Sequence, residues 1–421
     1  MSTGTGIRLD DRDQEILAGD HGAGAALAMR VLVATARAMG ARELVDIESA
    51  HIDGCIYIGS VSIEYVRRLV EGGARVSVPT TQNVGAVDRL HPELWHGDAE
   101  LAARGRELMD LYSALGAQPT WTCAPYQLAH RPRLGAHIAW GESNAIVFAN
   151  SVIGARTQRY GDFVDAAAAV VGRAPLAGLH LDSGRHAEVV VDVNGVDPRL
   201  LSSDTLFPLL GHVIGERVGS RVPVVVGVPS ATEDQLKALG AAAASSGSVA
   251  LFHMVGITPE APTLEAALGD NRDPAIVSVG TADLRAALDR LCTRHEGTLA
   301  AVCLGTPHYS ITEFAALRSL LDGRRVAERT PLYVNTGRFV LGEIERRGWA
   351  EELRDQGVRI VTDTCTYNAP ILGTLDGLVM TDSAKWAWYA PHNVGVDVLF
   401  ADTRSCVESA VEGRIIRDNF F

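Results

Sequence analysis

The sequence predicts an α/β protein of several lobes. Mostly parallel sheets are expected, flanked by helices, with an active site between lobes at the C-terminal ends of strands. Three observations carry this. Short β-branched runs alternate with longer segments that are apolar at helical spacing, the pattern of successive βα units. A chain of 421 residues is too long for one ordinary core, so two or three packed lobes are expected. Polar phrases recur where apolar strands end: Cys303, Asn335, Asp363-Thr-Cys365 and Thr381-Asp-Ser383. Open α/β sheets bind ligands at such ends.

In chain order, Asp11 and Gln14 can cap a short first helix, which Gly19 to Gly24 ends. An Ala-rich helix follows over residues 25–39. Leu44–Glu48 reads as a strand leading into the His51-Ile-Asp53 loop. Ile63–Glu71 reads as a helix, Val76–Val78 as a buried strand and Asp98–Leu115 as a long helix. Residues 119–157 are unusually polar, with Cys123, Arg133, Glu142, Ser143, Asn150 and Ser151 among them. A polar stretch in an apolar chain suggests a site wall. Asp162–Val171 returns to helix. Strands are then expected at Val189–Val193, Val222–Val226 and Val249–Phe252, with helices at Ser203–Val218 and Glu233–Ala244 between them. Leu299–Cys303, Pro331–Val334, Arg359–Thr362 and Leu378–Met380 complete the strands. The expected lobes are 1–187, 188–300 and 301–421.

Composition narrows the function. Hydrophobic residues make up 47% and charged residues 21%, ordinary for a globular enzyme. A net charge of −13 disfavours a nucleic-acid partner, because phosphate needs a basic face. The N-terminus shows no signal-peptide pattern and no apolar run is long enough to span a bilayer, so a cytoplasmic protein is expected. No phosphate-binding glycine loop and no G-x-S-x-G elbow occurs, so a nucleotide cofactor and a serine hydrolase are unsupported.

Six cysteines in such a chain point to thiols, metal ligands or nucleophiles rather than to a disulfide framework. Cys123, Cys303 and Cys365 lie in polar, loop-like phrases. Three thiolates could hold an iron–sulfur cluster and leave one iron free as a Lewis acid. The competing reading is three unrelated buried thiols. Cys303 is the least secure, since it follows an apolar run and could close a core strand. Cys292 and Cys406 fall in helix-like segments and read as core, and Cys55 fits either role. His51, His308 and Glu142 are candidates for proton transfer. Asp53, Ser143, Asn150, Ser151, Thr364, Ser383 and Lys385 are candidates for holding substrate. Lys385 would act as a point charge on a carboxylate, and Arg133, the weaker candidate, as a bidentate partner.

Several long phrases together resemble one family. They are Gly19-Asp-His-Gly-Ala-Gly24, Ser49-Ala-His-Ile-Asp-Gly54, Thr120-Trp-Thr-Cys-Ala-Pro125, the run from His137 to Thr157, Leu251 to Ala261, Gly305-Thr-Pro-His308, Thr362-Asp-Thr-Cys365 and Thr381-Asp-Ser-Ala-Lys385. They resemble the large, catalytic subunit of aconitase X, in the aconitase superfamily. The resemblance implies an aconitase-like architecture and a hydro-lyase with an iron centre. It implies one of two substrates, cis-3-hydroxy-L-proline, as in the bacterial members, or mevalonate 5-phosphate. It also implies Cys123, Cys303 and Cys365 as ligands. Relatives place a cysteine directly before Pro-His where this chain has Thr306, which bears on nuclearity. A two-iron cluster is the expectation, with a four-iron cluster or mononuclear iron as alternatives. The family's small swivelling domain, thought to carry a serine base, is expected as a separate subunit. A non-catalytic metal-binding scaffold is the reading from a different class.

Overall fold

A computed structural model describes residues 6–417. Residues 1–5, on which part of the leader reading rested, and 418–421 lie outside the described residues. The chain forms a multi-lobed α/β fold of mostly parallel sheets flanked by helices.

The first region holds a parallel three-stranded sheet in the order Thr80–Gln82, Ala50–Ile52, Ala139–Trp140. Leu44–Asp46 pairs antiparallel with Arg173–Pro175. Helices Ala23–Ala38, Ser60–Glu71 and Val164–Val171 bury apolar faces in the core of this region. Two local expectations shift. The first helix is capped by Asp10, which exchanges a capping box with Asp13, one residue before the expected pair. Val76 and Val78 are only half-buried, and the strand begins at Thr80 instead. The Ser77 N–H is spent on the Ala169 carbonyl at 2.8 Å, and Pro79 has no N–H to give a ladder.

The middle sheet runs His253–Met254, Pro223–Val226, Val189–Gly195, Ala275–Gly280, all parallel. Its three successive buried valines, Val189–Val191, suit a strand covered on both faces. Residues 249–252, expected as a strand, approach the sheet as an unpaired segment, and the ladder starts at His253. Helix Leu206–Val218 packs along Glu233–Gly247. The latter starts at a Thr232–Gln235 capping box, which satisfies two otherwise orphaned N–H groups.

The third sheet is parallel in the order Val358–Val361, Leu332–Asn335, Leu299–Leu304, Leu378–Thr381, Asp397–Phe400. Its central strand is followed by Gly305 at φ +84°, where a Cβ would strike the Asn335 carbonyl at 2.3 Å. Only glycine lets the chain turn so closely there. The peptide before Pro307 is cis. Among the described residues, no single helix is long and apolar enough to cross a membrane.

Candidate metal centre

Three loops meet beyond the ends of the first and third sheets. Cys123 comes from the loop before the short turn Pro125–Gln127. His308 follows the central strand of the third sheet, and Cys365 follows its edge strand Val358–Val361. The two sulfurs and one ring nitrogen of His308 lie within 4.8 Å of one another, and all three residues are buried. This geometry marks a candidate metal-binding site. Two soft sulfurs and an imidazole suit zinc or iron–sulfur chemistry rather than a hard cation.

Local bonds explain why the three stay together. The His308 backbone N–H donates to Cys123 Sγ at 3.3 Å, and Cys365 Sγ lies 3.6 Å from His308 Nε2. Thr122 Oγ1 sits 3.0 Å from His308 Nδ1, which leaves Nε2 facing the sulfurs. Asn144 Nδ2 donates to the Cys123 carbonyl at 2.9 Å. Lys237 is buried and pairs with Glu313 and, at 3.1 Å, with Asp234; its Nζ also lies 3.4 Å from the His308 carbonyl. Cys123 and Cys365 each follow by two a non-glycine residue in left-handed backbone, Trp121 at φ 39° and Asp363 at φ 61°. Such backbone costs energy and is kept where the surroundings enforce it. Asp363 is gripped by Arg338, and Arg338 in turn lies 4.4 Å over the Trp121 ring.

The electrostatics favour one thiolate. Burial opposes ionisation of Cys123, but the adjacent Cys365 thiol, the Lys385 ammonium and the His308 N–H outweigh it and lower its pKa. Cys365 is pushed up by Cys123, then by burial. Burial holds His308 down at about 4, so its imidazole is neutral at pH 7, the form that ligates metals.

Beside this group Lys385 Nζ lies 2.5 Å from Glu142 Oε1, both side chains buried. Ser143 Oγ donates to Glu142 Oε1 at 3.1 Å and accepts from Lys385 at 3.4 Å. Burial opposes both charges, yet each partner holds the other ionised: Glu142 is lowered and Lys385 raised. Glu142 also acts on the ionisation of Cys123, His51, Asp53 and His308, so it stands at the hub of the site. His51 Nδ1 bonds Thr81 Oγ1 at 2.7 Å, while its buried Nε2 has no partner. Burial holds His51 near 4. Thr306 and Thr364 each present a buried hydroxyl without a partner next to the ligand residues. Unpaired buried polar atoms are rare in finished cores, and they fit a site that holds a further group.

The structure brings Cys123, Cys365, His308, Glu142, Ser143, Lys385, His51, Asp53 and Thr364 to this region. Ser383 lies at its edge: it caps the helix carrying Lys385 and donates to the Thr306 carbonyl. Four expected residues are not brought there. Cys303 lies within the central strand, fully buried in the apolar core, with its thiol pushed well up by burial. The third position near the two sulfurs is taken by His308, five residues on. Asn150 spends its side chain on Thr157, Ala250 and Arg185. Ser151 Oγ accepts from the Phe252 N–H at 2.9 Å. Both therefore seat the middle lobe on the first. Arg133 is exposed and pairs with Glu48.

Sequence reasoning missed Thr122, Asn83, Asp165 and Lys237. For Lys237 a signal existed. The chain has only two lysines, Lys237 and Lys385, among its 38 basic Lys and Arg residues, and both are buried beside this group.

Profiles of the three aconitase X domains match this chain: the first domain over residues 6–183, the second over 187–289 and the third over 299–412. A cis-3-hydroxy-L-proline dehydratase of Pseudomonas aeruginosa is 42% identical, covering 98% of this chain and 72% of that protein. One from Hypocrea jecorina is 38% identical, covering 97% and 70%. A phosphomevalonate dehydratase large subunit of Thermococcus kodakarensis is 35% identical, covering 96% of this chain and 99% of that protein. The crystal structure of Thermococcus kodakaraensis aconitase X in its holo-form matches with a TM-score of 0.87 at 34% identity, over 96% of this chain and 100% of that one.

Proposed function

The chain belongs to the aconitase X family, and from that membership we propose that it is a hydro-lyase dehydrating cis-3-hydroxy-L-proline to Δ1-pyrroline-2-carboxylate. The observation that carries this is the buried Cys123–His308–Cys365 group with the Glu142–Lys385 pair against it, in a chain 42% identical to such a dehydratase.

The donor set fits an iron–sulfur centre, and we take the two-iron form as the proposal. When bound, such a centre supplies a Lewis acid for the departing hydroxyl. This chain's own residues supply the rest. Lys385 offsets the charge of Glu142 and of the Cys123 thiolate, and can turn one N–H toward a substrate carboxylate. Glu142, held as a carboxylate by Lys385, has no proton of its own to give, so the proton for the leaving hydroxyl comes from the Lys385 ammonium that Glu142 orients. His51, neutral and with Nε2 free of partners, can orient that hydroxyl. In the reaction the C2–H and C3–O bonds break, a C2=C3 bond forms and water leaves. The enamine product tautomerises to the cyclic imine. A serine oxygen on a separate small subunit takes the C2 proton. Support for that partner is the archaeal relative matched over 99% of its length, which is itself called a large subunit.

The test is anaerobic co-purification with the small subunit, then a visible spectrum, iron and sulfide counts, and assays with both hydroxy acids. A coloured protein with matched iron and sulfide that dehydrates cis-3-hydroxy-L-proline is expected. Turnover of mevalonate 5-phosphate alone overturns the substrate. A colourless zinc protein without turnover overturns the enzyme in favour of a metal-holding scaffold.

A further inference from the structure

Near Glu142, the first lobe gathers carboxylates without a cation. Asp53 follows the strand Ala50–Ile52, two residues after His51. Its backbone N–H donates to Asp165 Oδ2 at 2.6 Å, and its Oδ1 accepts from Asn83 Nδ2 at 2.5 Å. Its Oδ2 has no hydrogen-bond partner among the described residues. Gly141, directly before Glu142, permits the crowding: a Cβ there would lie 2.2 Å from Asp165 Oδ2 and 3.1 Å from Asp53 Cβ. Glu142, Asp162 and Asp165 all bear on Asp53 with like charge. Among the described residues no Lys or Arg pairs with Asp53, Asp162 or Asp165, and the nearby Lys385 is engaged by Glu142.

One buried polar atom opens onto this cluster without a partner. Asn83 is 3% exposed, and its Oδ1 is unbonded although its amide nitrogen holds Asp53. Buried polar groups are normally satisfied. A carboxyl oxygen of Asp53 and an amide oxygen of Asn83, left open together, await donors. A secondary ammonium brings both a positive charge and two N–H groups.

We infer that Asp53, oriented by Asn83, receives the ring ammonium of the substrate, so the chain selects 3-hydroxy acids that carry a secondary amine beside the carboxylate. The inference rests on the dehydratase reading above and narrows its substrate class. Burial, then Glu142, Asp162 and Asp165, hold Asp53 up at about 8, so the empty site keeps a proton there at pH 7. An arriving ammonium displaces that proton. A phosphorylated hydroxy acid would instead bring negative charge to an acidic cluster without a cation of its own, a repulsive pairing that specificity by charge exploits.

The test is calorimetry on the metal-loaded protein with its small subunit. The probes are L-proline, which has the ring nitrogen but no hydroxyl to lose, and cyclopentanecarboxylate, which has the carboxylate but no nitrogen. The native protein is expected to prefer L-proline and to release a proton on binding it near pH 7. Asp53→Asn is expected to lose about thirty-fold or more in L-proline affinity, the scale of removing one partner of a desolvated charge pair. Its weak binding of cyclopentanecarboxylate is expected to stay within about threefold. Asp53→Glu is expected to keep the preference. An Asp53→Asn protein that binds L-proline as the native protein does, while the native protein dehydrates cis-3-hydroxy-L-proline, overturns the role of Asp53 and leaves the dehydratase reading standing. A native protein that dehydrates only mevalonate 5-phosphate and ignores L-proline overturns both. If Asp53→Asn does not fold, a native protein with no preference between the two probes, or an Asp53→Glu protein that loses it, overturns the inference.

Discussion

Arg338 holds Asp363 through two hydrogen bonds, Nε to Oδ1 at 2.6 Å and Nη2 to Oδ2 at 2.7 Å. Asp363 is fully buried and in left-handed backbone two residues before Cys365. The same guanidinium covers Trp121, two residues before Cys123. One arginine thus braces both cysteine turns. Arg338→Lys removes the bidentate fork and is expected to cost about 1.5–3 kcal/mol, the range for charge-assisted hydrogen bonds. It is also expected to speed metal loss to a chelator. Equal release rates for variant and native protein would show that the brace does not act on the ligands.

The cysteines separate by role. Cys365→Ala is expected to lose the metal and the activity together. Cys303→Ala is expected to keep a native metal count and lose about 1–3 kcal/mol of stability, because it removes a small buried group from packed core. Metal analysis of the two purified variants decides it. Loss of metal from Cys303→Ala would return that thiol to the ligand set.

The Glu142–Lys385 pair is buried, so removing one partner leaves a charge without compensation. Either Glu142→Gln or Lys385→Met is expected to cost about 3–5 kcal/mol, and the double variant less than the sum. Denaturant unfolding of the four proteins gives the coupling. Additive losses would mean that the two side chains do not depend on each other.

Asp165 gives a pH signature. Burial raises it from 3.8 to about 7, against the backbone N–H groups of Asp53 and Ala166 that bond it. The folded state therefore holds this proton more tightly than the unfolded state. The stability it contributes is complete below about pH 4 and is lost as pH rises through about 7. Between those values the native protein is expected to lose more stability per pH unit than Asp165→Asn, by up to about 1.4 kcal/mol per unit. Asp53 and Asp162 are raised as well, so some slope persists in the variant. Parallel stability–pH curves would show that Asp165 carries no such proton.

Both lysines are buried in ion pairs. An amine-reactive reagent at neutral pH is expected to leave Lys237 and Lys385 unlabelled in the folded protein and to label both after unfolding, read by peptide mass spectrometry. Labelling of either in the folded state would place it in open water.

Much of the site was legible because its chemistry is carried by rare residue types in polar phrases. Cys123 and Cys365 stand out in Thr-, Asp- and Pro-rich loops, and Lys385 follows the polar phrase Thr381-Asp-Ser383. Asn150 and Ser151 looked equally eligible, yet they bond Thr157, Arg185 and Phe252. Their polarity serves a joint between lobes, and composition does not separate a joint from a site. Asp88 gave no signal at all. It accepts from the Thr362 N–H at 2.8 Å and the Thr362 hydroxyl at 3.1 Å across 274 residues of sequence, a pairing with no local pattern.

By itself the sequence determined the kind of fold and the order of its elements. The valine-rich segment Val189–Val193 and the strand Leu299–Leu304 are short apolar runs that suit doubly covered parallel strands. It also determined the stock of chemistry, since thiols and lysines are scarce here. Tertiary structure decided which of these groups meet. Cys303 and His308 are five residues apart, but the tight turn at Gly305 keeps one in the core and brings the other to Cys123 and Cys365. Which side of a strand end a group leaves by depends on contacts made with residues hundreds of positions away, and no local propensity encodes them.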